Sequence, residues 1–276
     1  MDLAIGRIRM LNPKNTSFTT MITKLMMGTG LVALTVVSAS ANSITFSASG
    51  TGGRSASATF TETPGYLTIS LKNTATYDAM DPTDMLTALF FNIPTGVTFA
   101  PVSAVVGSTS TVINTLTGNA NYLPAGTVVG GEWAYASGIN VGGLNGGTSS
   151  TGLGLFGNGN FPGPNLQGPV VVDGVQYGIT TATDNPLTGN GGIRSNQSSQ
   201  FERNEVILTL SSVPTTFNLD QITSVRFLYG TSLDEVSLTD THVNNTPQTP
   251  DGASTLLLLG SACVGLGALR RKFWVA

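Results

Sequence analysis

Charge is scarce in this chain. Only 10% of its 276 residues are Asp, Glu, Lys or Arg, against roughly a quarter in an average globular domain. Seven of the twelve basic residues sit near the ends, at Arg7, Arg9, Lys14, Lys24, Arg270, Arg271 and Lys272. From residue 42 to 251 five basic side chains face fourteen acidic ones, leaving a balance of −9. A central region that is acidic and has no basic patch repels phosphate backbones, which excludes a nucleic-acid partner. The only cysteine, Cys263, lies in an apolar run near the C-terminus, so the centre has neither a disulfide framework nor thiolate chemistry. The only histidine, His242, lies in DTHVNN, a surface position at the end of the last expected strand. A Ser-His-Asp hydrolase or a zinc site would need it in a rigid cleft. Helical periodicity is also missing between the two ends.

Glycine and period-two alternation fill the gap. Ile44 and Phe46 alternate with small polar residues in SITFSAS, as do Leu67, Ile69 and Leu71 in YLTISLK and Val206, Leu208 and Leu210 in NEVILTL. Each reads as a strand with one buried and one wet face. Further strands are expected over 54–60, 85–93, 127–136, 170–180, 222–229 and 232–239. Turns are expected at Pro64-Gly65 and, as a type I′ hairpin, at Asp173-Gly174. About ten short strands separated by Gly, Pro and Asn clusters predict an all-β domain over 42–243, an antiparallel β-sandwich of jelly-roll-like form. The stretch 138–168 has eleven glycines in 31 residues and is expected to be a long loop.

The two ends read as addresses. Lys24, the apolar run 25–37 and then Ala39-Ser40-Ala41 follow the order of a secretory signal peptide, with cleavage after Ala41. Residues 1–20 are polar and aperiodic, which makes Met21 the expected true start. At the other end Ala253 to Leu269 gives seventeen uncharged residues, a helix rising about 25 Å and just able to span a thin bilayer. Arg270, Arg271 and Lys272 form a basic stop retained on the cytoplasmic side, so the β domain is expected outside. A polar linker, 244–249, joins the domain to this tail. Signal helix and transmembrane helix thus flank the sandwich.

The tail carries a resemblance. Pro250, Asp251, Gly252, Ala253, Ser254 and Thr255, followed by a Leu/Gly/Ala-rich span and Arg-Arg-Lys, resemble the PEP-CTERM class of sorting signal in its Pro-Asp variant. Thr249 and Ala253 stand where Val and Gly are usual. The resemblance covers about the last 27 residues. It implies processing by exosortase, a membrane-embedded protease or transpeptidase of Gram-negative bacteria that make extracellular polysaccharide. The partners implied are exosortase and the secretion machinery, the inner membrane for the precursor, and extracellular polysaccharide. The expected destination is the cell surface or the extracellular matrix. The residues give their own reason for the motif. Proline keeps Thr249-Pro250 extended, as a protease requires. Asp251 suits a helix N-terminus, and Ser254 or Thr255 can cap it.

No catalytic group or cofactor is expected. GLGLFG over 152–157 fits G-x-G-x-x-G but follows no buried parallel strand and opens no helix, so it is a chance match in a glycine-rich stretch. Asp78, Asp81 and Asp84 form a weak calcium candidate, without the spacing of a D-x-D-x-D-G loop, and read better as solvated loop carboxylates. Glu132 with Glu202 or Glu205 would suit a glycosidase acid pair, but these acids read better as wet strand positions. Trp133 and Tyr135 share a strand face that suits sugar stacking, although core packing uses the same residues. Ser55, Ser57 and Thr59 form a wet face without the repeat of a lattice-matched surface. The sequence therefore favours an exported non-enzymatic protein, with a tethered carbohydrate-binding module and a secreted glycoside-active enzyme as alternatives.

Overall fold

The computed structural model describes residues 42–157, 161–163, 172 and 174–240. The chain divides into units 1–38 and 39–276, and every described residue belongs to the second. The signal segment and everything from residue 241 on, including His242, the linker 244–249, Cys263, the sorting motif, the expected membrane span and the basic stop, lie outside the described residues. Among those described, no helix is long and apolar enough to cross a membrane.

The described residues form an all-β structure in two sheets. The first contains β1 (Asn42–Ser49), β2 (Ser55–Thr63), β3 (Tyr66–Asn73), β5 (Ala100–Val106) and β12 (Glu205–Ser211), in the order β1-β2-β3-β12-β5. The second runs β14 (Ser237–Asp240), β13 (Val225–Tyr229), β4 (Leu86–Phe91), β10 (Ile179–Thr180), β11 (Gln200–Arg203), β6 (Thr111–Asn114) and β7 (Asn119–Leu123). β9 (Leu144–Ser149) pairs with β4 and with β8 (Ala134–Val141). Four 3-10 turns are the only helical elements among the described residues.

In the first sheet the alternation in the sequence sets the faces. Phe46, Phe60, Leu67, Ile69, Leu71, Val206, Leu208 and Leu210 are all fully buried, while the residues between them face outward. Pro64-Gly65 closes the β2–β3 hairpin between paired Thr63 and Tyr66, and Gly65 has φ +81°, which the second central position of a type II turn requires. The apolar face packs on the second sheet. Phe60 meets Phe46 edge to face at 5.8 Å and Phe91 at 5.3 Å, and Leu86, Leu89, Phe227 and Tyr229 belong to the same core.

The second sheet departs from the one-wet-face expectation. All six residues of β4 are buried, because Leu86, Leu89 and Phe91 face the first sheet while Ala88 and Phe90 join a second cluster with Ala134, Leu144, Phe156 and Leu228. β8 and β9 supply part of that outer cover. The expectation of a loop over 138–168 is thereby corrected for its first part. Gly142 and Gly143, with φ +62° and +87°, make a two-residue hairpin turn between paired Val141 and Leu144. The glycines of β9 are there for closeness: a Cβ on Gly147 would lie 2.7 Å from the Phe90 ring.

Three further expectations are corrected. The sheets are not wholly antiparallel, since β10 and β11 pair in parallel. The strand expected over 127–136 is broken by the 3-10 turn Gly130–Glu132; Gly130 packs against the Pro162 carbonyl so closely that a Cβ would overlap it. The strand expected over 170–180 shrinks to Ile179–Thr180, preceded by a turn over 174–177, and pairs with β4 and β11. Val172 and Val175 belong to different apolar clusters; Asp173, and with it the expected hairpin turn, lies outside the described residues.

Candidate functional site

The acidic stretch around Asp78, Asp81 and Asp84 is a brace between loops. Asp81 caps the turn Pro82–Asp84 by accepting from the Thr83 N–H at 2.8 Å and the Thr83 hydroxyl at 2.6 Å. Asp84 is buried and pairs with Arg54 at 2.9 Å while also accepting the Met80 N–H. Arg54 donates to the Thr83 carbonyl as well and lies 6.0 Å from the Tyr229 ring centroid. Burial, followed by the Asp84 charge, pushes the Tyr77 hydroxyl up to about 12. Asp78 accepts the Asn185 N–H at 3.1 Å, and Asp184, itself buried, accepts the Ala79 N–H at 2.8 Å. Burial pushes the Asp184 carboxyl up to about 6, against that hydrogen bond. Asp78, Asp81 and Asp84, the weak calcium candidate, thus each answer to a protein donor, and Asp84 is buried where a solvated loop carboxylate was expected. Among the described residues no group of three or more His, Cys, Asp or Glu is placed to hold a metal ion.

Trp133 and Tyr135 share the inner face, the core-packing reading of the two given for them, and not the sugar-stacking one. Trp133 is 0% and Tyr135 4% exposed, and both belong to the main core. Neither ring is open to a sugar. Burial pushes the Tyr135 hydroxyl up to about 12.

The three glutamates expected on wet faces are buried: Glu202 at 0%, Glu132 at 4% and Glu205 at 6% exposure. Glu205 is satisfied by Lys72 at 3.4 Å and by the Ser70 hydroxyl. Glu202, on β11 between β10 and β6, accepts the Trp133 indole N–H at 2.8 Å through Oε1, while its Oε2 has no hydrogen-bond partner. Burial drives its carboxyl well above the usual carboxylate range; the indole N–H opposes this and the charge of Glu132 adds to it. Desolvation and a nearby like charge both disfavour the ionised form, so the Glu202 carboxyl keeps its proton to a higher pH than an exposed carboxyl does.

The open spaces lie elsewhere. One cleft of about 380 Å³ is lined by the loop Ile93–Thr98 with Ser137, Gly138 and Asn145. Another, of about 620 Å³, is lined by Pro82, Val175, Gly192, Ser195, Ser198 and Thr231 among others. Neither has a titratable side chain in its wall, and neither reaches Glu132 or Glu202. Within 152–157 the chain forms a turn in which the Leu155 and Phe156 N–H groups donate to the Gly152 carbonyl. No protein-family profile matches the chain, and no curated protein or solved structure is significantly similar to it.

The buried acids were out of reach of sequence reading. NEVILTL signals the alternation that makes β12, but QFER gives no sign that β11 runs between two other strands. The adjacency of Glu132 and Trp133 was visible; the approach of Glu202, 69 residues later, was not.

Proposed function

We propose that the chain is an exported, non-enzymatic β-domain protein of the cell surface or extracellular matrix. In this reading the signal 1–41 delivers it, the span 253–269 holds it transiently, and an exosortase cuts near Pro250-Asp251. The observation that carries the reading is the order of segments along the chain: a signal-like stretch, an all-β domain described over 42–240, and a three-part tail of Pro-Asp motif, apolar span and basic cluster. The first and last described strands are linked: the Ser47 N–H donates to Asp240 Oδ2 at 2.8 Å.

The finer architecture is read as a jelly-roll-like sandwich. The chain passes back and forth between the sheets, with β1–β3 in the first, β4 in the second, β5 in the first, β6–β11 in the second, β12 in the first and β13–β14 in the second. The non-enzymatic reading draws support from the separation of Glu132 and Glu202 from both clefts, since a glycosidase needs its acids where substrate can reach them.

Mass spectrometry of the mature protein from cells with and without exosortase tests the reading. An N-terminus at Asn42 and, only when exosortase is present, a C-terminus near Pro250 are expected. Retention of 256–272 in both strains would leave an ordinary membrane anchor and refute the processing step.

A further inference from the structure

The outward face of the first sheet holds an order that no single strand reveals. The strand registers align Ser43 with Thr61, Thr61 with Thr68, Thr68 with Thr209, and Thr209 with Ser103. One row of hydroxyl side chains therefore crosses all five strands. Four strand gaps make the row about 19 Å long. All five residues are partly exposed, and among the described residues none of their hydroxyls has a hydrogen-bond partner. The next row differs, because Thr45 and Thr59 bond each other at 2.9 Å. On the other side, one row over, Tyr66 pairs with Thr63 and Ser211 and is 48% exposed.

Charge is nearly absent from this face, although the domain as a whole is acidic. The ion pair of Lys72 with Glu205, at the end of the sheet away from Tyr66, neutralises itself. An anionic polymer would find no free cation along the row. Each serine or threonine hydroxyl can donate one hydrogen bond and accept two, which matches a ligand that offers hydroxyls at regular intervals. The exposed tyrosine adds an aromatic platform for a sugar ring.

We propose that this face binds an extended, uncharged polysaccharide lying across the strands, with Ser43, Thr61, Thr68, Thr209 and Ser103 as its hydrogen-bonding row and Tyr66 as its stacking ring. The proposal rests on the reading of the chain as an exported surface protein and supplies that protein with a ligand class. Ice, the other regular array of hydrogen-bonding groups, fits less well. Each strand pair twists by about 20–25°, so the row turns through roughly 80–100° from β1 to β5. A flexible polymer can follow a turning row, whereas a rigid lattice plane cannot.

The test is a depletion isotherm of the full-length chain on insoluble β-1,4-glucan, β-1,3-glucan and chitin, with alginate as the anionic comparison. Retention on at least one neutral polymer and none on alginate is expected. A Thr61→Val, Thr68→Val, Thr209→Val variant keeps strand-forming side chains and loses three hydroxyls. It should bind at least about tenfold more weakly, as should Tyr66→Ala, with melting temperatures within a few degrees of the parent. Absence of retention on every neutral polymer overturns the proposal. So does a triple variant that binds as the parent does, or stronger retention on alginate. Inhibition of ice growth that the triple variant loses would reassign the face to ice. The readouts are separable: a chain that binds glucan but keeps both termini overturns only the export reading, and a processed chain that binds nothing overturns only this one.

Discussion

Replacing Glu202 with Gln should abolish one component of the pH dependence of stability. In the unfolded chain this carboxyl loses its proton near 4.5. In the fold it keeps the proton to a much higher pH, because it is fully buried, has Glu132 beside it and leaves Oε2 without a partner. The folded state therefore binds more protons than the unfolded state once the pH exceeds 4.5. Stability is complete below that value and is lost as the pH rises towards the folded value. The slope is about 1.4 kcal/mol per pH unit, or roughly 3–5 °C in melting temperature for a domain of this size. Gln cannot ionise and still offers an oxygen to the Trp133 indole. Thermal melts of parent and Glu202→Gln from pH 5 to 8 should diverge, the variant gaining on the parent with each unit. Asp184 and Glu62, also raised by burial, add their own slopes to both proteins and cancel in the difference. Parallel curves across the range would refute the account of a buried Glu202 carboxyl that keeps its proton.

Two further outcomes follow from the packing. Arg54→Ala strands the buried Asp84 carboxylate and frees the turn Pro82–Asp84 from β2, at a cost of about 2–4 kcal/mol; chemical denaturation measures it, and a loss under 0.5 kcal/mol would mean the pair is solvated. Gly130→Ala drives a methyl group into the Pro162 carbonyl. Backbone has to move to make room, so a loss of about 1–3 kcal/mol is expected, and a variant as stable as the parent would place Pro162 elsewhere.

The sequence made part of this fold legible, and the limit has a physical cause. β1, β2, β3 and β12 were readable because each buries one face only, so hydrophobicity alternates. β4 was readable as apolar but not as covered on both faces, since that cover comes from Ala134, Leu144 and Phe156 far along the chain. β9 was hidden because Gly146 and Gly147 read as loop residues, while in the fold they make room for Ile93 and Phe90. β7, with the sequence NANYL, has no buried residue and so has no signal to give. The buried acids and the hydroxyl row share one difficulty: both arise from contacts between segments distant in sequence, which composition does not encode. Trp133 and Tyr135 drew attention as aromatics that could meet a ligand, whereas the exposed ring on a hydroxyl-rich face is Tyr66.

The meeting of β1 and β14 also has a mechanical side. β14, an edge strand of the second sheet, pairs with β13 over Val225–Leu228, and the bond from the Ser47 N–H to Asp240 ties it across to the first sheet. A load that pulls the two sheets apart at this edge is therefore shared by a polar contact at the margin as well as by the apolar core around Phe60 and Phe91.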